Sequence, residues 1–187
     1  MDGIMKSLAE RAIATSSSKE KGDVSLLQFL DLQQLNCLNE SSEHNFKSIV
    51  SSKGVNTSNS YLESDADEQL LLNVAFNQAV RVKSLIIKST DIAHAPKKIK
   101  LAVNRPNLGF DDVADAEEPA VAQILELDQE TVTEGKPVAL RFVRFQSIFV
   151  VSNHGDEEET KINAIDVIGV PVETTKDLSG LRQKQEN

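Results

Sequence analysis

The chain holds 187 residues, 40% hydrophobic and 26% charged, with a formal net charge of -9. A chain of this length buries roughly 70% of its unfolded surface, so one core can hold it together without disulfides or metal. The acid excess disfavours nucleic acid as a main partner, because phosphate binding needs a Lys and Arg surplus on at least one face.

Residues 1–23 read as a lead-in. Ile4, Leu8 and Ile13 could line one side of a short helix, and Ser16 to Asp23 is linker-like. The segment lacks the apolar core of a signal peptide, and no apolar run approaches the roughly 20 residues that span a bilayer. A cytoplasmic or nuclear protein without a membrane partner is the expectation. The domain proper is expected over 24–173, and the polar stretch 174–187 as a flexible tail.

Between those limits the apolar residues recur mainly with period two. Leu70, Leu72, Val74 and Phe76 alternate with Leu71, Asn73 and Ala75, and Ile99, Leu101 and Val103 alternate with Lys98, Lys100 and Ala102. Lys98 and Lys100 therefore read as one solvated strand face. Ser147 to Val151 carries apolar residues on both phases, as does Lys161 to Val170, which fits strands covered on both sides or lying near the centre of a sheet. Asn77-Gln78 reads as a hairpin connection, Asn104 to Asn107 ends a strand at Pro106, and Gly135-Lys136-Pro137 is a further break. Short helical turns are expected near Leu26 to Leu32 and Phe110 to Ala116. No amphipathic helix of ten or more residues separates the strands, which disfavours a parallel α/β sheet and favours an antiparallel sandwich or barrel.

Chemistry-bearing patterns are sparse. His44, His94 and His154 are the only histidines and form no H-x-H or H-E-x-x-H pair. No nucleophile elbow, P-loop or G-x-G-x-x-G is present. Cys37 is the only cysteine, which excludes a Cys-x-x-Cys redox pair and a cysteine-built zinc site. Its apolar neighbours Leu35 and Leu38 suggest a core thiol. Glu63 to Glu68 has a faintly calcium-like spacing but lacks the central Gly and the terminal Glu of an EF-hand loop. No metal, cofactor or catalytic residue is assigned.

Four segments, in order, carry a resemblance. They are Cys37-Leu38-Asn39-Glu40-Ser41 with Glu43-His44 and Phe46; Tyr61 to Leu71 running on to Val74-Ala75-Phe76-Asn77-Gln78; Pro96 to Lys100 with Asn104-Arg105-Pro106 and Phe110-Asp111-Asp112; and Leu140 to Gln146 with Ile148-Phe149-Val150, Ser152-Asn153, Gly155, Glu157 to Thr160 and Ile168 to Val172. Over roughly residues 24–175 the chain resembles the PITH domain, the C-terminal domain of proteasome-interacting thioredoxin-like proteins. The resemblance implies an all-β fold, an antiparallel jelly-roll β-sandwich of galactose-binding-like type. It also implies a non-catalytic protein-interaction domain that docks a thioredoxin-like protein on the 26S proteasome regulatory particle, in cytoplasm and nucleus. The thioredoxin domain with its Cys-Gly-Pro-Cys site has no counterpart in these residues. A covalently linked thioredoxin domain in a parent protein and a stand-alone PITH protein therefore both stay open.

Recognition is expected from loops that a rigid sandwich positions. The most charged are Asn153, Asp156, Glu157, Glu158 and Glu159 in one loop and Asp65, Asp67 and Glu68 in one turn, and Arg105 beside Pro106 could add a charge-assisted contact. Two other readings remain at this point. One is an accessory domain of a thioredoxin-type protein in peroxide or disulfide metabolism. The other is a small-ligand or carbohydrate-binding sandwich, which the absence of Trp and the single Tyr61 disfavour.

Overall fold

A computed structural model describes residues 22–102, 110, 123–141 and 147–172. Among these, β1 (Val24–Ser25), β11 (Ala164–Pro171), β5 (Val80–Lys88) and β8 (Val138–Ala139) form one four-stranded sheet in that order. The second sheet has five strands, β2 (Asn36–Leu38), β4 (Leu70–Asn73), β9 (Ser147–Asn153), β6 (Pro96–Ala102) and β7 (Gln123–Glu126). A two-stranded ribbon of β3 (Leu62–Glu63) and β10 (Lys161–Ile162) lies beside them. Every pairing is antiparallel.

The period-two pattern explains the core. Val82, Leu85, Ile87, Ile165 and Val167 from the four-stranded sheet join Leu70, Leu72, Ile99, Leu101, Ile148 and Val150 from the other in one buried cluster. Strands with apolar residues on both phases are covered on both faces, as expected. Leu71, Ala102 and Phe149 form a second cluster on the outer side of the five-stranded sheet, where Phe110 meets Phe149 edge-on at 5.7 Å. This second layer overturns the solvated lysine face: Lys98 is half-buried and Lys100 is 3% exposed. Lys100 shares its phase with Ala102 and stands opposite Phe149 in a strand flanked on both sides by β9 and β7.

Asn77-Gln78 does not close a hairpin. It links β4 to β5, which belong to different sheets, and its backbone is held by Asn77 N–H donating to the Phe29 carbonyl at 2.8 Å. The expected turn near Leu26 is a 3-10 turn, Leu26–Phe29, with Ser25 at its N-cap. Of the expected turn at Phe110 to Ala116, all but Phe110 lies outside the described residues. Two short helices were not anticipated. Phe46–Val50 starts at Asn45, whose Oδ1 accepts from Ser48 N–H at 2.9 Å. Gln129–Glu134 starts at Asp128 and ends at Gly135, whose φ of 70° suits a residue without a Cβ. Asp23, just before β1, buries its carboxylate against Lys83 Nζ at 2.8 Å.

Gly169 sits at a register shift in the middle of the four-stranded sheet, where β11 pairs with β5. A Cβ there would lie 2.1 Å from the Arg81 carbonyl oxygen, so the close strand approach depends on glycine.

A candidate docking surface at one end of the sandwich

The strand ends explain why distant charged segments meet. In the row β2-β4-β9-β6, antiparallel alternation puts the end of β2, the start of β4, the end of β9 and the start of β6 on one side. The acidic turn before β4 and the acidic loop after β9 are therefore neighbours.

Each is held by one asparagine. Asn39, at a left-handed φ of 70°, donates from Nδ2 to Asp67 Oδ1 at 2.9 Å and to the Gln69 carbonyl at 2.7 Å, and its Oδ1 accepts from Ala66 N–H at 3.0 Å. Asn153 is 4% exposed. Its Nδ2 donates to the Glu157 carbonyl at 3.0 Å, the Glu159 carbonyl at 3.1 Å and Thr160 Oγ1 at 3.1 Å, while Oδ1 accepts from Glu157 N–H at 2.8 Å.

Thr160 then ties loop to turn. Its N–H donates to Ser64 Oγ at 2.8 Å, its Oγ1 donates to the Glu68 carbonyl at 2.6 Å, and its carbonyl accepts from Ser64 N–H at 3.0 Å. Thr160 and Ser64 are both buried, so these bonds form where water competes little.

The far side of the loop rests on the 3-10 turn Ile92–His94. Gly155 N–H donates to the Ala93 carbonyl at 2.7 Å, and a Cβ on Gly155 would come within 2.6 Å of that oxygen. His94 Nδ1 lies 2.9 Å from Asp91 Oδ2 and its Nε2 3.9 Å from Glu157 Oε1. The hydrogen bond with His94 holds the Asp91 carboxyl below its usual range, and the charge of nearby Lys161 acts in the same direction. Lys161 Nζ stands 3.9 Å from Glu63 and 4.0 Å from Asp91, over the ring of Tyr61 at 5.6 Å. Tyr61 stacks on His44 at 4.1 Å and its hydroxyl lies 3.2 Å from His44 Nε2.

Of the residues singled out from sequence, Asp65, Asp67, Asp156, Glu157 and Glu158 are exposed, and Glu68 and Glu159 are partly exposed. They share this one end. Asn153 does not face outward; its buried amide shapes the loop instead. Arg105 lies outside the described residues. Asn39, Ser64, Thr160 and His94 complete the arrangement and were not singled out as site residues. The only hint was that Asn39, Ser64 and Thr160 fall inside the segments that carry the family resemblance. Among the described residues no group of three or more His, Cys, Asp or Glu side chains could hold a metal ion.

Cys37 is buried two residues before Asn39. Burial, and then the neighbouring Glu40 carboxylate, push its thiol well above the ordinary range. At pH 8 the native protein should react with an aromatic disulfide reagent at least about tenfold more slowly than the urea-unfolded chain. Equal rates in a thiol titration would contradict a buried, protonated thiol.

The PITH domain model matches residues 16–186. The chain is 39% identical over 177 residues to thioredoxin-like protein 1 of Schizosaccharomyces pombe, an alignment covering 89% of this chain and 59% of that protein. It thus spans less than two thirds of that relative's length. With PITH domain-containing protein 1 of Danio rerio it shares 35% identity over 80% of this chain and 72% of the relative. Among solved structures, the family 32 CBM of NanJ from C. perfringens, in complex with galactose, superposes with a TM-score of 0.50 at 14% identity, covering 78% of this chain and 98% of that one. The CBM32-1 and CBM32-2 domains of Clostridium perfringens ZmpB, in complex with GalNAc, give a TM-score of 0.51 at 10% identity over 83% of this chain and 38% of that one. At such identities these neighbours show the fold alone, a galactose-binding-like jelly-roll β-sandwich. Together with the ordered match along the sequence, the family model places this chain in the PITH domain family.

Proposed function

We propose that this chain is a non-catalytic docking module that holds a thioredoxin-like protein on the regulatory particle of the 26S proteasome, in cytoplasm and nucleus, and that the paired acidic loops are its contact surface. The observation that carries this reading is the Thr160 junction. Two acidic segments far apart in sequence are joined into one surface by hydrogen bonds of the buried Thr160. Shaping the loops before binding lowers the ordering cost on association, and a carboxylate-rich surface attracts basic protein surfaces from a distance. The relationship to thioredoxin-like protein 1 supports the link to a thioredoxin-like parent.

The test is capture from a cytosolic extract by the purified 187-residue chain, read by mass spectrometry. Regulatory-particle subunits should be enriched, and less so at high salt. Replacing Glu157, Glu158 and Glu159 together by Lys should reduce capture about tenfold or more with an unchanged circular dichroism spectrum. Wild-type capture without regulatory-particle subunits would remove the docking role. Full capture by the triple variant would remove the acidic loop as its surface.

A further inference from the structure

Asp23 carries a carboxylate that the fold buries against a single cation. Its side chain is 1% exposed, and apart from the Lys83 ammonium 2.8 Å from Oδ1, neither carboxylate oxygen has a hydrogen-bond partner among the described residues. The Lys83 side chain is 42% exposed. A buried charge held by one partner is costly once that partner is lost, whereas a part-exposed ammonium regains water.

The register of the four-stranded sheet brings the two together. In the order β1-β11-β5, Val24 pairs with Gly169, which pairs with Val82, and Ser25 pairs with Ile168, which pairs with Ser84. Lys83 is the residue that the register shift leaves over, a bulge in β5. Bulges re-aim side chains, and this one sends an ammonium across β11, a distance of two strand spacings or about 10 Å.

The contact bears on a weak element. β1 has two residues and lies at the sheet edge, where Ser25 Oγ also donates to Asp166 Oδ1 at 2.6 Å. Without β1, β11 becomes an edge strand, its backbone groups open to pairing with another chain. β5 runs toward the acidic end, where the turn Ile92–His94 leads into β6, so its start at Val80 and the paired end of β11 at Pro171 lie at the opposite end. The chain therefore enters β1 away from the acidic loops.

We propose that Asp23 and Lys83 form a charge-operated latch: with Lys83 charged, β1 covers the edge of β11, and with that charge removed, β1 detaches and the edge opens. The latch sits away from the docking surface and does not rest on that reading.

Amide hydrogen exchange on the full chain tests it at Val24, Ser25, Ile168 and Val170. Lys83→Met keeps most of the arm and removes the charge; it should speed exchange there at least about tenfold, with Leu71 and Ile148 of the other sheet unchanged. Asp23→Asn alone, which leaves only a part-exposed lysine unpaired, should stay within about threefold of wild type. So should the two substitutions together, because no buried charge remains. A Lys83→Met chain too unstable to fold, rescued by adding Asp23→Asn, is the same result read by urea midpoint. Wild-type exchange in Lys83→Met would overturn the latch. So would a double variant no better protected than Lys83→Met, which would assign the effect to packing of the lysine arm, or an Asp23→Asn protein as open as Lys83→Met.

Discussion

Gly169→Ala should cost about 3 kcal/mol of stability, visible as a lowered urea midpoint. The backbone of Gly169 is extended, so the reason is space. Its Cβ would sit 2.1 Å from the Arg81 carbonyl oxygen, far inside contact distance, with Leu26 Cδ1 at 3.0 Å. Neither obstacle yields easily. Arg81 belongs to β5, which is paired with β11 on one side and β8 on the other, and Leu26 is wholly buried. The strands must separate, and the loss falls on β11, whose Ile165 and Val167 build the core. A domain stability of about 5–15 kcal/mol makes this a large fraction of the total. Gly54→Ala is the matched control, since its Cβ would meet only Ser52 Oγ at 3.9 Å. A Gly169→Ala protein that unfolds at the wild-type midpoint would show that the β11–β5 pairing has slack that the register shift hides.

The second large effect is expected at Asn153→Ala, about 2–3 kcal/mol. The substitution removes the four side-chain hydrogen bonds by which Asn153 shapes the loop, including the contact with buried Thr160. Carbonyl oxygens near the surface regain water; Thr160 Oγ1 does not, because Thr160 is fully buried. The disturbance should reach the turn before β4, because Thr160 holds both segments. Hydrogen exchange should quicken at Glu157 and also at Ser64. Asn153→Asp separates shape from chemistry. It keeps the acceptor for Glu157 N–H but loses the amide donors and turns a carboxylate toward the Glu157 and Glu159 carbonyls, so it should be no milder than alanine. Faster exchange confined to Glu157, with Ser64 unaltered, would show that the two loops order independently.

How far the sequence revealed this molecule depends on the range of each interaction. The strands near Leu70, Ile99, Ile148 and Ile165 were legible because alternation is local and burial follows it directly. The helix Gln129–Glu134 was also written locally, between the Asp128 cap and Gly135, but its polar residues offered no apolar stripe to announce it. Lys100 was misread because a two-residue period says which side chains share a face but not whether another layer covers that face. The Asn77-Gln78 link was misread for a related reason: a short polar connection between strands looks the same whether the chain turns back in its own sheet or crosses to the other. The acidic loops stood out by composition. Their union did not, because the Thr160 hydroxyl and the Glu68 carbonyl are 92 positions apart. Asn153 shows the converse. It was found by its place in a charged loop, yet its amide is turned inward and decides the loop's shape.

The packing of Tyr61 also gives the protein an optical readout of its own. With no tryptophan and one tyrosine, its emission excited beyond the absorption band of phenylalanine comes from a single ring. That ring stacks on His44 and has Lys161 Nζ 5.6 Å from its centre, and Lys161 also approaches Glu63 at the start of the acidic turn. An occupant that draws Lys161 or His44 aside changes the surroundings of that ring. Docking at this end can therefore be followed by emission without attaching a dye, provided that the partner segment carries no tryptophan or tyrosine.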